Sequence, residues 1–162
     1  MEQLLSVNEF VQGAAERYAD MVLRIAFQHL ENKEDAEDVT QEVFLRLIKN
    51  SDFHDEEHLK AWLIRVAVNL CKNHRRNAFR RRPQPVAEPW APFSDEQQRM
   101  LDLLWTLPPH YRSVIYLYYY EGYITPEIAA ILKRSEKTVW SQLSRGREKL
   151  KDLLIEGGYV DV

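Results

Sequence analysis

At 162 residues, of which 45% are hydrophobic, 11% aromatic and 29% charged, the chain has the composition of a folded globular protein, with room for one domain or two small ones, and fibrous and disordered classes are excluded. The opening Met1 to Phe10 lacks the basic start and apolar core of a signal peptide, and no apolar run approaches the roughly 20 residues that span a bilayer, so a cytoplasmic protein without direct membrane insertion is expected. Net charge is -3, but the charges are segregated: Met1 to Trp62 holds 14 acids and 6 bases, Leu63 to Arg82 holds 7 bases and no acid, and Lys133 to Lys151 holds 7 bases and 2 acids. Two basic islands in an acidic chain predict local anionic partners that the total charge hides.

In chain order, three amphipathic helices are expected first. Their apolar positions recur at three- and four-residue steps: Val11, Ala14, Ala15, Tyr18, Met21, Val22, Ile25 and Ala26; then Ala36, Val39, Val43 and Leu47 with Phe44 and Ile48; then Leu59, Trp62, Leu63, Val66 and Leu70. Cys71 reads as a half-buried small hydrophobe; as the only cysteine it excludes an internal disulfide or a cysteine-based zinc cluster. Pro83, Pro85, Pro89 and Pro92 follow, and because each lacks an amide donor and disfavours helix at the residue before it, this stretch reads as a linker. The chain therefore divides into a lobe at 1–82, a linker at 83–94 and a lobe at 95–162. No sustained two-residue period points to strands, and the fold class expected is all-α, two small helical domains.

Punctuation in the second lobe is clearer. A helix from about Asp95 to Trp105 stops at Leu107, Pro108 and Pro109, and another runs from Pro109 to an end at Gly122. Thr125 is placed to cap a short helix with Pro126 and Glu127 in its first turn, ending by Leu132, and Ser135 to cap a further one. Two helices across so tight a turn make a helix-turn-helix.

Three faces are candidates for function. On the last helix Val139, Leu143, Gly146, Leu150 and Leu153 gather on the side to be buried, leaving Lys137, Ser141, Ser144, Arg145 and Glu148 outward, with Trp140, Gln142 and Arg147 on the flanks. The first turns of the second helix of such a motif enter the major groove, where cations, hydroxyls and amides bond base edges. On the third helix Arg65, Asn69, Lys72, Asn73, Arg76 and Arg80 form a stripe with no acid in it, suited to phosphates and base edges. On the second helix Asp38, Gln41, Glu42 and Leu45 form an acidic outer stripe that cannot serve DNA, and a solvated face is the simpler reading of the pattern alone. His54 and His58 have the spacing of two zinc ligands on a helix, but Asp55 stands where a metalloprotease helix carries glutamate, and the segment reads as a loop. No metal site, cofactor site or enzymatic motif is assigned.

Three segments resemble the extracytoplasmic-function (ECF) sigma factors of the sigma-70 family. DAEDVTQEVFLRL (35–47) is similar to the region 2 helix that grips core RNA polymerase, and AWLIRVAVNLCKNHRR (61–76) to the adjoining helix that faces the promoter minus-10 element. The stretch from Leu107 to Leu150 resembles region 4, whose helix-turn-helix reads the minus-35 element. The resemblance implies bacterial core RNA polymerase and promoter DNA as partners, an anti-sigma factor, often membrane-anchored, as a third, and no catalysis by the chain itself. It turns Asp38, Gln41, Glu42 and Leu45 into the polymerase contact. Asn69 and Asn73 become minus-10 readers, and the loop from Asn50 to His58 becomes a pocket for an unpaired base, with Phe53 as stacker or as core anchor. Lys137, Trp140, Ser141, Ser144 and Arg145 become the minus-35 face. Trp140 and Gln142 depart from the basic residues common there, and Trp140 either packs on a neighbouring helix or meets the DNA backbone. On the residues alone, a dimeric helix-turn-helix regulator and a helical interaction module or metal enzyme stay open.

Overall fold

The computed structural model describes residues 2–50, 52–78 and 93–156, with side chains placed for 6–50, 52–74 and 93–156. These residues form seven α-helices and one π-helical turn and no strand. Among them no helix is long and apolar enough to cross a membrane. The chain divides into two compact units, 1–90 and 91–162.

In the first unit α1 (Glu2–Leu30) packs on both α2 (Lys33–Ile48) and α3 (Glu56–Ala78). The turn between α1 and α2 is short because Glu31 takes a left-handed conformation (φ 55°) and Asn32 then caps α2, its side chain accepting the Asp35 N–H at 3.1 Å. The core interleaves Ala14, Val22, Ile25 and Ala26 with Ala36, Val39, Val43 and Leu47, and with Leu59, Leu63, Ile64 and Ala67. Val11, Ala15, Tyr18, Phe44 and Trp62 of the apolar pattern are half-buried at its edges, and further positions differ from it. Ile48 is 44% exposed, because it lies at the carboxy-terminal end of α2 on the side away from the buried Val43 and Leu47. Val66 is only half-buried, while Ile64, Val68 and Cys71 point inward, so the inner face of α3 is wider than the expected stripe. Cys71 is fully buried rather than half-buried.

The second unit opens on a capping box: the Gln97 N–H donates to Ser94 Oγ at 3.2 Å and the Ser94 N–H to Gln97 Oε1 at 3.1 Å, which starts α4 (Asp95–Trp105). Its end is tied by a buried cation. Arg112 of α5 (Pro109–Ile115) donates from Nε to the Leu107 carbonyl at 2.7 Å and from Nη2 to the Trp105 carbonyl at 3.1 Å, satisfying acceptors that the helix end leaves open. The expected helix from Pro109 to Gly122 widens instead into a π turn over Tyr116–Tyr120, before Gly122 at φ 77° turns the chain.

The helix-turn-helix follows as α6 (Thr125–Leu132) and α7 (Glu136–Glu156). Thr125 is the first helical residue rather than the cap; the Glu127 carboxylate takes the capping role by accepting the Ile124 N–H at 3.1 Å. Lys133, left-handed at φ 53°, closes α6, with the Arg134 N–H reaching back to the Ala129 carbonyl at 3.0 Å. Ser135 caps α7 through its Oγ, which accepts the Thr138 N–H at 3.1 Å. Gly146 lets α7 approach α5 closely, since a Cβ there would stand 3.0 Å from Ile115 Cγ1.

Candidate functional site

Burial of Ala36, Val39, Val43 and Leu47 fixes the rotation of α2 and turns Asp38, Gln41, Glu42 and Leu45 to solvent. Leu45 is 57% exposed, and Ile48 lies on the same side one turn of chain further on. The face is therefore a leucine and an isoleucine bordered by carboxylates. Glu42 and Arg46 form an ion pair at 3.2 Å, but both are about half exposed, so water screens it and it adds little to stability. An apolar spot with an acidic border repels phosphate and suits a protein surface.

The outer side of α3 presents Asn69, Lys72 and Asn73 to solvent together, with Arg65 half-buried at their edge. The side chain of Arg76, and all of Arg80, lie outside the described residues. The amino-terminal end of α3 is held to α1 by Glu56, which accepts from Arg17 Nη2 at 3.0 Å and from the Tyr18 hydroxyl at 2.6 Å. Burial, and then the Glu56 carboxylate, raise the Tyr18 pKa, keeping the phenol a donor. Phe53 sits in a ring cluster, stacked with Phe10 at 6.2 Å and edge-on to His58 at 5.2 Å and Trp62 at 5.5 Å. That is an anchor's environment, and it half-buries the ring.

His54 and His58 have a local task. His58 falls in the first turn of α3, not in a loop; its N–H donates to Asp55 Oδ1 at 2.8 Å, so Asp55 caps the helix, and its Nδ1 accepts the N–H of His54, the residue before that cap, at 3.1 Å. No group of three or more metal-binding side chains is found among the described residues.

On α7, Val139, Leu143 and Gly146 are buried and Leu150 and Leu153 half-buried, which turns Lys137, Trp140 and Arg145 outward. Ser141 and Ser144 are half-buried between the two sides. Trp140 is 64% exposed, so it does not pack into a neighbouring helix. Gln142 is engaged within the protein: its Oε1 accepts from Arg134 Nη1 at 2.9 Å, and the same nitrogen lies 3.3 Å from the His110 carbonyl. This bridge ties the turn to both α5 and α7. Arg147 is also engaged, its guanidinium lying 5.1 Å from the Tyr118 ring centre and 5.4 Å from that of Tyr119. The cations left facing outward on the first turns are Lys137 and, a little further along, Arg145. His110, beside this bridge, has its pKa lowered by burial, and then by the charges of Arg134 and Lys149.

Sequence periodicity missed Ile48 as a surface residue, Arg112 as a buried tie and the Arg134–Gln142 bridge. For Ile48 the position after the last buried residue of a helix was an available signal. The other two join residues five to eight apart across turns, and their partners are fixed only by the backbone path.

Comparison with known proteins fits this geometry. The Sigma-70 region 2 family matches residues 14–81 and the Sigma-70, region 4 family residues 97–150. The ECF RNA polymerase sigma factor SigW of Bacillus subtilis is 30% identical over 165 residues, a match covering 85% of this chain and 84% of SigW. The chain belongs to the ECF sigma factors of the sigma-70 family. The ECF sigma factor SigE of Mycolicibacterium smegmatis is 32% identical over 151 residues, covering 85% of this chain and 59% of SigE, so the chain spans less than two thirds of that relative. Among solved structures, CnrH in complex with the cytosolic domain of CnrY matches with a TM-score of 0.68 and 27% identity over 96% of this chain and 94% of CnrH. In these terms the α2 and α3 faces lie in the region 2 match and the α7 face in the region 4 match.

Proposed function

We propose that this chain is an alternative sigma factor, which binds bacterial core RNA polymerase and directs initiation to promoters by reading a minus-10 and a minus-35 element. The observation that carries the proposal is Leu45, 57% exposed on an acidic face that cannot meet DNA, in a chain whose α7 turns an indole and cations outward. One surface suits a protein and the other suits a duplex, which is what a factor joining an enzyme to a promoter requires.

In this reading Asp38, Gln41, Glu42 and Leu45, with Ile48 added, contact the polymerase. Asn69 and Asn73 bond bases of the minus-10 strand. Arg65, Lys72, Arg76 and Arg80 follow its phosphates, and Phe53 holds the wall of the pocket that takes the unpaired base. Lys137, Trp140, Ser141, Ser144 and Arg145 meet the minus-35 duplex. Bond chemistry belongs to the polymerase. Two modest DNA faces suffice because the polymerase holds both, raising the effective concentration of each at the other's promoter element. The acidic remainder of the chain weakens its binding to arbitrary DNA. CnrH is held by the cytosolic domain of another protein; for this chain an anti-sigma factor that masks the exposed apolar spots is the corresponding partner.

Transcription by bacterial core RNA polymerase on a pool of genomic promoters, with and without the chain, tests the proposal. New start sites that disappear with Leu45→Arg are expected. No start sites and no co-elution with core, together with tight DNA binding by the chain alone, would replace it with an independent DNA-binding regulator.

A further inference from the structure

Trp140 has the largest fractional exposure among the exposed large apolar side chains of the described residues, at 64%. It stands in the second turn of α7, on the part of a helix-turn-helix that enters the major groove, with Lys137 one turn before it and Ser144 one turn after. An indole left in water loses the burial that makes tryptophan favourable, so its position asks what covers it. Two polar groups on its flanks are committed within the protein, Gln142 to Arg134 and Arg147 to Tyr118 and Tyr119, while Lys137 and Arg145 face outward with it.

The groove's chemistry narrows the choice of base. Indole has one N–H donor, no acceptor and a wide apolar surface. It cannot make the paired bonds by which arginine reads guanine or asparagine reads adenine. Thymine alone offers an apolar group on the major-groove floor, its C5 methyl, and beside it the O4 acceptor for an N–H. We infer that Trp140 is a specificity-determining residue, selecting a thymine in the minus-35 duplex through its C5 methyl. The inference rests on the sigma reading and deepens it, replacing cation-to-guanine recognition at this position with an apolar contact to a pyrimidine.

The test uses promoters obtained with core polymerase and the full chain. In each minus-35 duplex the thymines are exchanged one at a time for uracil, which removes the methyl and keeps base pairing. With the wild-type chain, one exchange lowers promoter-complex formation by about fourfold, the effect of one buried methyl group. With Trp140→Ala, complexes on the parent promoter weaken by roughly tenfold, the cost of a mismatched pair, and the uracil exchanges have no further effect. Trp140→Arg moves the preference at that pair towards guanine. Unchanged co-elution with core and an unchanged helical spectrum show that the variants fold.

A flat uracil scan with the wild-type chain on an active promoter overturns the thymine contact and leaves the sigma reading standing. So does a scan in which Trp140→Ala keeps the same sensitive thymine. A Trp140→Ala variant that forms promoter complexes as well as wild type overturns it too, and assigns the indole to a protein partner. Absence of start sites with the wild-type chain removes both readings together.

Discussion

Helices α2 and α7 are built alike and face different worlds. Each starts at a side-chain cap, Asn32 or Ser135, each buries residues at three- and four-residue steps, and each leaves large apolar surface in water, Leu45 at 57% and Ile48 at 44% on α2 and Trp140 at 64% on α7. What differs is the border. Asp38, Gln41 and Glu42 lie beside Leu45, whereas Trp140 lies between Lys137 and Ser144, one turn before and after it, with a single acid, Glu136, in the first turn on its side and Arg145 further round the helix. In the proposed reading, charge decides which polymer each helix approaches, and the apolar side chain decides how selective the contact is once made.

The comparison breaks most visibly at Leu45. Replacing it with arginine places a cation in the centre of the surface proposed to meet the polymerase, and affinity for core polymerase measured by co-elution or fluorescence titration should fall on the order of a hundredfold, as at an interface hot spot. Binding of α7 to duplex should be untouched. If Leu45→Arg and Trp140→Ala weakened polymerase binding equally, the division of labour between the two helices would be wrong.

Smaller effects test how each helix is set in place. Gly146→Ala gains helix propensity of about 1 kcal/mol, but its methyl meets Ile115 Cγ1 at 3.0 Å and Cδ1 at 3.1 Å. Overpacking of a buried contact costs about 1–3 kcal/mol, so a net loss of about 1 kcal/mol is expected in denaturant titration. Ile115→Val removes the Cδ1 methyl, and the double variant should be less destabilised than the two single ones added together. Next come the caps: Ser135→Ala and Asn32→Ala should each cost about 1 kcal/mol, Ser135→Ala in the unit of α7 and Asn32→Ala in the unit of α2, read by amide exchange in the first turn of each helix.

The smallest effect expected is that of pH on the second unit. His110 has its pKa lowered below the ordinary 6.5 by burial, Arg134 and Lys149, so the folded state favours the neutral ring. Above pH 6.5 the ring is neutral folded or unfolded and its contribution to stability is fully present. As pH falls through the folded value the unfolded chain takes the proton more readily, and that stability is lost. His110→Gln should flatten the acid limb of a stability profile between the two values.

Much of this was legible in the residues. The three helices of the first unit follow from apolar steps, the end of α4 from the prolines after it, and the tight turn before α7 from Ser135. The exposure of Asp38, Gln41, Glu42 and Leu45 on α2 and of Lys137 and Arg145 on α7 was legible for the same reason: a helix that buries one stripe exposes the opposite one. The π turn at Tyr116–Tyr120 was not legible, because a widened turn leaves no fixed trace in composition. The exposure of Trp140 was not legible either, since a flanking position on a wheel can be covered by a neighbour or left open, and only the path of the adjacent helices decides which.

The sequence by itself determined what depends on short-range spacing: which residues share a helix face, where caps and prolines end each helix, and how charge is divided among the faces. Tertiary structure alone decided what depends on which surfaces meet. It closed α5 onto Gly146, tied the turn of the helix-turn-helix through Arg134 to Gln142, took Arg112 inside, and left Leu45, Ile48 and Trp140 in water. The physical reason is that periodicity follows from the backbone geometry of one helix, whereas exposure follows from the packing of several.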